Sequence, residues 1–184
     1  MPVPRDTPKA IPIWILFSTI VVIYDAMYIL LRPYTFPPNP LSYLWPGHTF
    51  YATIDHVYGP SAFAENDGFP AAQSLMNLVE SVVNITYLAK YYSTRAGGTG
   101  GGGMLVVGFA GVVMTLAKTV LYVLNEVCAG GRHVAHNDFK SLFLFYILPN
   151  GLWVAFPAWC TCWFSREITK RIEAGGSGKV KKRA

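Results

Sequence analysis

MLVVGFAGVVMTLAKTVLYVLNEVCA, Met104 to Ala129, is apolar over a length that crosses a bilayer, yet its second half carries Lys118, Tyr122, Asn125 and Glu126. A helix needs about 20 predominantly apolar residues to traverse roughly 30 Å of hydrocarbon. The run meets that length, and its polar residues need a reason to be there.

The rest of the chain points the same way. Of its 184 residues 52% are hydrophobic and only 14% charged, where soluble domains carry about a quarter charged. The apolar residues are gathered into runs. Besides Met104–Ala129, three more segments have spanning length: Ile11–Leu31, Pro70–Tyr92 (the least apolar) and Lys140–Phe164. Transmembrane strands would be shorter and alternating. The sequence therefore predicts an all-α membrane protein, a bundle of four transmembrane helices with a long non-cytosolic loop between helices one and two. The first segment is long for a signal peptide, contains Asp25 and lacks a small-x-small cleavage site, so it reads as a retained helix. The expected organisation is a cytosolic head over 1–10, the transmembrane domain over 11–171, and a flexible basic tail over 172–184.

Lysine and arginine orient such a bundle. They concentrate in the tail (Arg166, Lys170, Arg171, Lys179, Lys181, Lys182, Arg183), in the connector after helix two (Lys90, Arg95) and in the head (Arg5, Lys9). Four crossings put all three on one side, so both termini are expected in the cytosol. The net charge of +5 is then an orientation signal, and no organised basic face suggests nucleic acid. Lys181-Lys182 near the C-terminus also resembles a dilysine retrieval signal, which with this topology places the protein in the endoplasmic reticulum membrane.

Several features carry no chemistry. Cys128, Cys160 and Cys162 have no metal-ligand spacing. Asn84-Ile85-Thr86 fits a glycosylation sequon but lies inside helix two. Ala96–Gly103 is a flexible glycine linker lacking the lysine and serine of a phosphate loop, and the glycines from Gly175 form a second linker. The loop Arg32–Phe69 is aromatic and proline-rich, with Pro33, Pro37, Pro38 and Pro40 excluding a continuous helix at its start. A loop of this length is often functional, and it reads as a lid whose Trp45, Tyr51 and Tyr58 suit a membrane interface.

Ionisable groups inside a bilayer cost about 2.5–3.5 kcal/mol each on insertion scales and usually face the bundle interior. Here they are Asp25, Glu80, Lys118 and Glu126. Gln73, Asn77, Glu80 and Asn84 recur at helical intervals, and Lys118, Tyr122 and Asn125 or Glu126 do so in helix three, giving two polar faces around a shared pocket. Such side chains can serve only to bond helices together, but packing does not require three carboxylates and a lysine. A buried carboxyl can stay protonated and act as a general acid, while an ionised one stabilises developing positive charge. The faces of Tyr122, Trp153 and Phe156 can do likewise through cation–π contact. That equipment suits protonation of an alkene; no hydrolase motif is present.

The strings NLVES in helix two, LYVLNE (Leu121–Glu126) and LPNGLWVAFP (Leu148–Pro157) resemble the emopamil-binding protein family of EXPERA-domain membrane proteins. That family includes the sterol Δ8–Δ7 isomerase and the sigma-2 receptor, and the resemblance runs from about Ile11 to Arg171. It implies a cavity open towards the membrane that holds a sterol or cationic amphiphile, with the isomerase glutamates falling on Glu80 and Glu126 and its asparagine and tryptophan on Asn150 and Trp153. It also shows departures. A histidine that precedes an acid by four residues in the isomerase is replaced by Val21 before Asp25, an acid before VLY becomes Thr119 beside Lys118, and one N-terminal helix is absent.

The expectation is a membrane-embedded enzyme acting on a sterol or terpenoid alkene through a carbocation-like intermediate, as a double-bond isomerase or a terpenoid cyclase. Asp25, Glu80 and Glu126 are the candidate catalytic acids, Asn77, Tyr122, Asn150 and Trp153 the substrate-binding residues, and Lys118 tunes charge by pairing with Glu80 or Asp25. No metal or organic cofactor is indicated. The bilayer and the apolar substrate are the expected partners; a homodimer is allowed, the oligomeric state being open. The alternative is a non-catalytic sterol or amphiphile binder of the sigma-2 receptor type.

Overall fold

The computed structural model describes residues 7–97 and 103–180, with side chains through residue 174. Most of the glycine connector, the start of the head and the Lys181-Lys182 end lie outside the described residues. Long helices dominate: α1 (Ala10–Leu30), α4 (Phe69–Arg95), α5 (Met104–Cys128) and a final stretch formed by α6 (Phe139–Leu142), a π-helical turn (Phe143–Ile147) and α7 (Leu148–Val180). The lid between α1 and α4 carries α2 (Pro46–Ile54), α3 (Pro60–Ala64) and 3-10 turns over Pro40–Leu44 and His56–Tyr58. Its later prolines start helices, with Pro46 and Pro60 at the first turn, where a missing N–H costs nothing.

Among the described residues three helical stretches are long and apolar enough to cross a membrane: Ala10–Leu30, Met104–Cys128 and Phe139–Ala174. At 27 residues α4 has the length but not the composition. The reason is that it is turned inside out. Ser74, Asn77, Glu80, Ser81 and Asn84 are buried, while Leu75, Met76, Val79, Val82 and Ile85 face outward. A helix at a water surface would show the reverse.

The last helix corrects two expectations. It is longer than Lys140–Phe164 at both ends, and its backbone stays helical through Val180, where the glycines from Gly175 predict a flexible linker. Pro157 sits inside it and withholds a backbone donor from the Trp153 carbonyl one turn earlier.

α1 packs on α4, α4 on α5, and α5 on α7. Away from the lid, Ile11, Ile15, Tyr87, Leu88, Met104, Val112, Cys160 and Phe164 form a closed apolar core. Two glycines of α5 allow this closeness. A Cβ on Gly108 would stand 2.6 Å from the Phe164 ring, and one on Gly111 would collide with the Asn84 amide oxygen.

The lid is tied down at both edges. Arg32, at the end of α1, donates to the Val57 carbonyl (3.1 Å) and the Ile29 carbonyl (3.2 Å) and lies over the Phe63 ring. Trp45 is buried, its indole N–H donating to the Tyr24 carbonyl (2.9 Å), so it is an anchor rather than the interfacial ring expected of it. On the other edge, the loop after α5 receives the lid. The His56 N–H donates to the His133 carbonyl (3.1 Å), the Asn137 amide donates to the Ile54 carbonyl (2.7 Å), and the His56 and His136 rings stack at 3.9 Å.

Candidate active site

Between the helices and beneath the lid lies a cavity of about 530 Å3, within the roughly 300–1,000 Å3 usual for ligand pockets. Val21, Val22 and Ile29 of α1, Phe69 and Pro70 of α4, and Phe145, Pro149 and Trp153 of the last helix give it apolar and aromatic walls. Trp153 is held by Trp14 (ring centroids 4.9 Å apart) and Phe17 (6.1 Å).

Polar side chains enter this space as two separate groups. On the α4–α5 wall, Lys118 Nζ lies 2.6 Å from Glu80 Oε2 and also donates to the Asn77 side-chain oxygen. The other carboxylate oxygen, Glu80 Oε1, accepts from Thr115 Oγ1 (2.7 Å) and Asn84 Nδ2 (3.4 Å). Three groups thus hold a carboxylate whose side chain is 1% exposed. The helical intervals of α4 and α5 produce this network directly, and the expected pairing of Lys118 resolves to Glu80.

On the α1 wall, Asp25 meets residues from the lid. Its Oδ1 lies 3.1 Å from His48 Nε2, and its Oδ2 accepts from the Tyr58 hydroxyl at 3.2 Å. His48 is clamped by aromatic rings, 4.5 Å from Tyr28 and 5.3 Å from Tyr24, and Tyr28 in turn donates to the Tyr58 carbonyl (3.1 Å). Burial first, and then the charge of Asp25, raise the Tyr58 phenol well above its ordinary range, which keeps it a neutral donor. The Asp25 side chain is 25% exposed. Sequence reading assigns Asp25 but misses His48, a lid residue that stands in contact with the acid.

A third acid, Asp55, sits behind the cavity. It is buried, its Oδ1 accepts the Val57 N–H (3.0 Å), and its Oδ2 accepts the hydroxyl of Tyr122, which lines the cavity. Burial is the largest influence on this carboxyl and Glu126 adds to it; together they outweigh the Tyr122 and Val57 hydrogen bonds and push the pKa up to about 6. Nothing in the sequence pattern marks Asp55, since it lies in an irregular loop and gains its role only when the lid folds over α5.

Two of the expected site residues behave differently. Glu126 does not line the cavity. Its Oε1 accepts the backbone N–H of His133 (2.8 Å) and Val134 (3.2 Å), and its Oε2 lies 2.7 Å from His133 Nδ1. A glutamate at the end of a helix is well placed to gather the N–H groups of the following turn, and here it builds the platform on which the lid rests. Asn150 does line the cavity, but its amide donates to the Tyr146 carbonyl (2.8 Å) in the π-helical turn and not to an acid. Such turns are common at functional sites. Asp25, Glu80, Asn77, Lys118, Tyr122, Asn150 and Trp153 all reach the cavity. Among the described residues no group of three His, Cys, Asp or Glu side chains is placed to hold a metal ion.

The arrangement offers one fixed ion pair, one acid shared with a histidine, and aromatic faces around an apolar space. The chain matches no family model, no curated protein and no solved structure.

Proposed function

We propose that this chain is a membrane-embedded acid–base enzyme that protonates an alkene of a sterol or terpenoid substrate, as a double-bond isomerase or, if deprotonation is delayed, as a terpenoid cyclase. In this reading α4 is a fourth membrane crossing with its polar side turned inward, both termini are cytosolic, and the bundle is of the emopamil-binding type in the endoplasmic reticulum.

The observation that carries the reading is the Asp25–His48–Tyr58 group at the wall of a largely apolar cavity. Asp25 and His48 share a transferable proton. Asp25 presents it to the substrate double bond, His48 replaces it, and Tyr58 fixes the second oxygen. General acid catalysis of this kind contributes about 10²–10⁴-fold. Glu80 takes a different role from the acid expected of it. Bound to Lys118, it holds that wall rigid. The cation that follows protonation faces Trp153 and Tyr122, whose rings stabilise it by cation–π attraction.

A cavity with one accessible acid would also hold the ammonium of a cationic amphiphile without turnover, the sigma-2 type of reading. One experiment separates the two. Membranes containing the full chain are incubated in heavy water with a Δ8-sterol and with linear and epoxidised prenyl alkenes, and products are analysed by mass spectrometry. The enzyme reading expects a rearranged product carrying deuterium. Saturable amine binding with no product would assign the cavity to binding alone.

A further inference from the structure

A reaction that adds a proton at one carbon must remove one from another, and the Asp25 group accounts only for the first half. Building on the enzymatic reading above, we propose that Tyr122 and Asp55 form the deprotonating arm, with Tyr122 as the catalytic residue and Asp55 as the positioning residue that receives its proton.

The geometry is a relay of one hydrogen bond. Tyr122 lines the cavity from α5 and donates its hydroxyl hydrogen to Asp55 Oδ2. Asp55 is outside the cavity lining and 1% exposed, and its Oδ1 is already occupied by the Val57 N–H. Its free capacity therefore points at one group, the Tyr122 phenol. The relay is distinct from the protonating group, where His48 and Tyr58 each contact one oxygen of Asp25. Tyr51 lies beside the protonating group, its ring meeting Tyr58 edge-on at 4.9 Å.

The step balances without any further reagent. A lone pair on Tyr122 Oη takes a proton from the carbon next to the cation. The electrons of that C–H bond become the new π bond. The original Oη–H proton passes to Asp55 Oδ2, so Asp55 is anionic before the step and neutral after it. Carbon acids adjacent to a cation are strong, so a phenol backed by a carboxylate is sufficient as base. Burial disposes Asp55 to accept, its carboxyl being pushed up to about 6. Both halves of the reaction thereby depend on the lid, which supplies His48 and Tyr58 to one arm and Asp55 to the other.

The test uses the full chain in membranes and two probes deuterated where hydrogen is lost: a Δ8-sterol labelled on C7, and a linear prenyl alkene deuterated on all its methyl and allylic methylene groups. Forming the cation from an alkene is the uphill step and its deprotonation the downhill one, so the wild-type isotope effect is expected near unity. In Tyr122→Phe, which keeps the ring, turnover falls about 10²-fold and a clear primary isotope effect emerges, because C–H cleavage has become limiting. Asp55→Asn is expected to do the same. Turnover close to wild type in Tyr122→Phe, or slower turnover with the isotope effect unchanged, would overturn the assignment and leave Tyr122 a wall of the cavity. Failure of the wild type to convert either probe would instead overturn the enzymatic reading itself.

Discussion

Asp25 and Glu80 are both carboxylates facing one cavity from neighbouring helices, and the molecule treats them oppositely. Glu80 is held by Lys118, Thr115 and Asn84 from within the helical bundle, and its side chain is 1% exposed. Asp25 is held by His48 and Tyr58, both from the lid, and its side chain is 25% exposed. The first is built from helix-to-helix contacts that exist wherever α4 and α5 pack. The second exists only when the lid is seated. In the reading proposed above Glu80 fixes a charge and Asp25 moves a proton, and the difference in partners separates the two tasks.

The sharpest way to break the contrast is to strand the fixed charge. Lys118→Met leaves Glu80 buried without its cation and is expected to cost about 3–5 kcal/mol of stability, read from thermal unfolding in detergent. Adding Glu80→Gln should recover most of that loss. If Lys118→Met alone cost less than about 1 kcal/mol, the pair would not be the buried fixture described here.

Next in size is a pH effect on the lid acid. Asp55 has its pKa raised in the folded protein, so the folded state binds more protons than the unfolded one between the two values. Stability from this group therefore rises as pH falls from above about 6 towards the ordinary aspartate value, by at most roughly 3 kcal/mol. Wild type should gain on Asp55→Asn by up to that amount between pH 7 and pH 4. A pH-independent difference between the two proteins would contradict the buried, raised carboxyl.

His48→Ala tests the movable side. It should lower turnover by about 10²-fold while leaving the unfolding temperature near that of wild type, because the lid keeps its Arg32, Trp45 and Asn137 anchors. Equal loss of stability and activity would make His48 a strut. The smallest expected effect is in the closed half. A Cβ on Gly111 meets the Asn84 amide that bonds Glu80, so Gly111→Ala should cost about 1–3 kcal/mol by overpacking, without touching the Asp25 group.

What the sequence made legible follows the same division. The long helices, the inward polar face of α4 and the facing of Lys118 into the bundle follow from periodicity, because helical spacing dictates which side chains share a face; that its partner is Glu80 and not Asp25 came from the packing. The lid obeys no period. Its contribution of His48, Tyr58 and Asp55 depends on how short turns seat against α1 and α5, and no local pattern announces that. Glu126 shows the converse limit. Its place one turn after Tyr122 suggests the cavity, but the helix ends at Cys128 and the open N–H groups of the next turn claim the carboxylate.

The most direct measurement is deuterium incorporation from heavy water by Asp25→Asn set beside the Glu80→Gln/Lys118→Met double variant, in membranes with the alkene probe that wild type converts. Asp25→Asn is expected to lose incorporation by about 10²–10⁴-fold, whereas the double variant, neutral on its wall as before, still labels the product. Retained labelling in Asp25→Asn together with its loss in the double variant would place the proton donor at Glu80 and contradict the account.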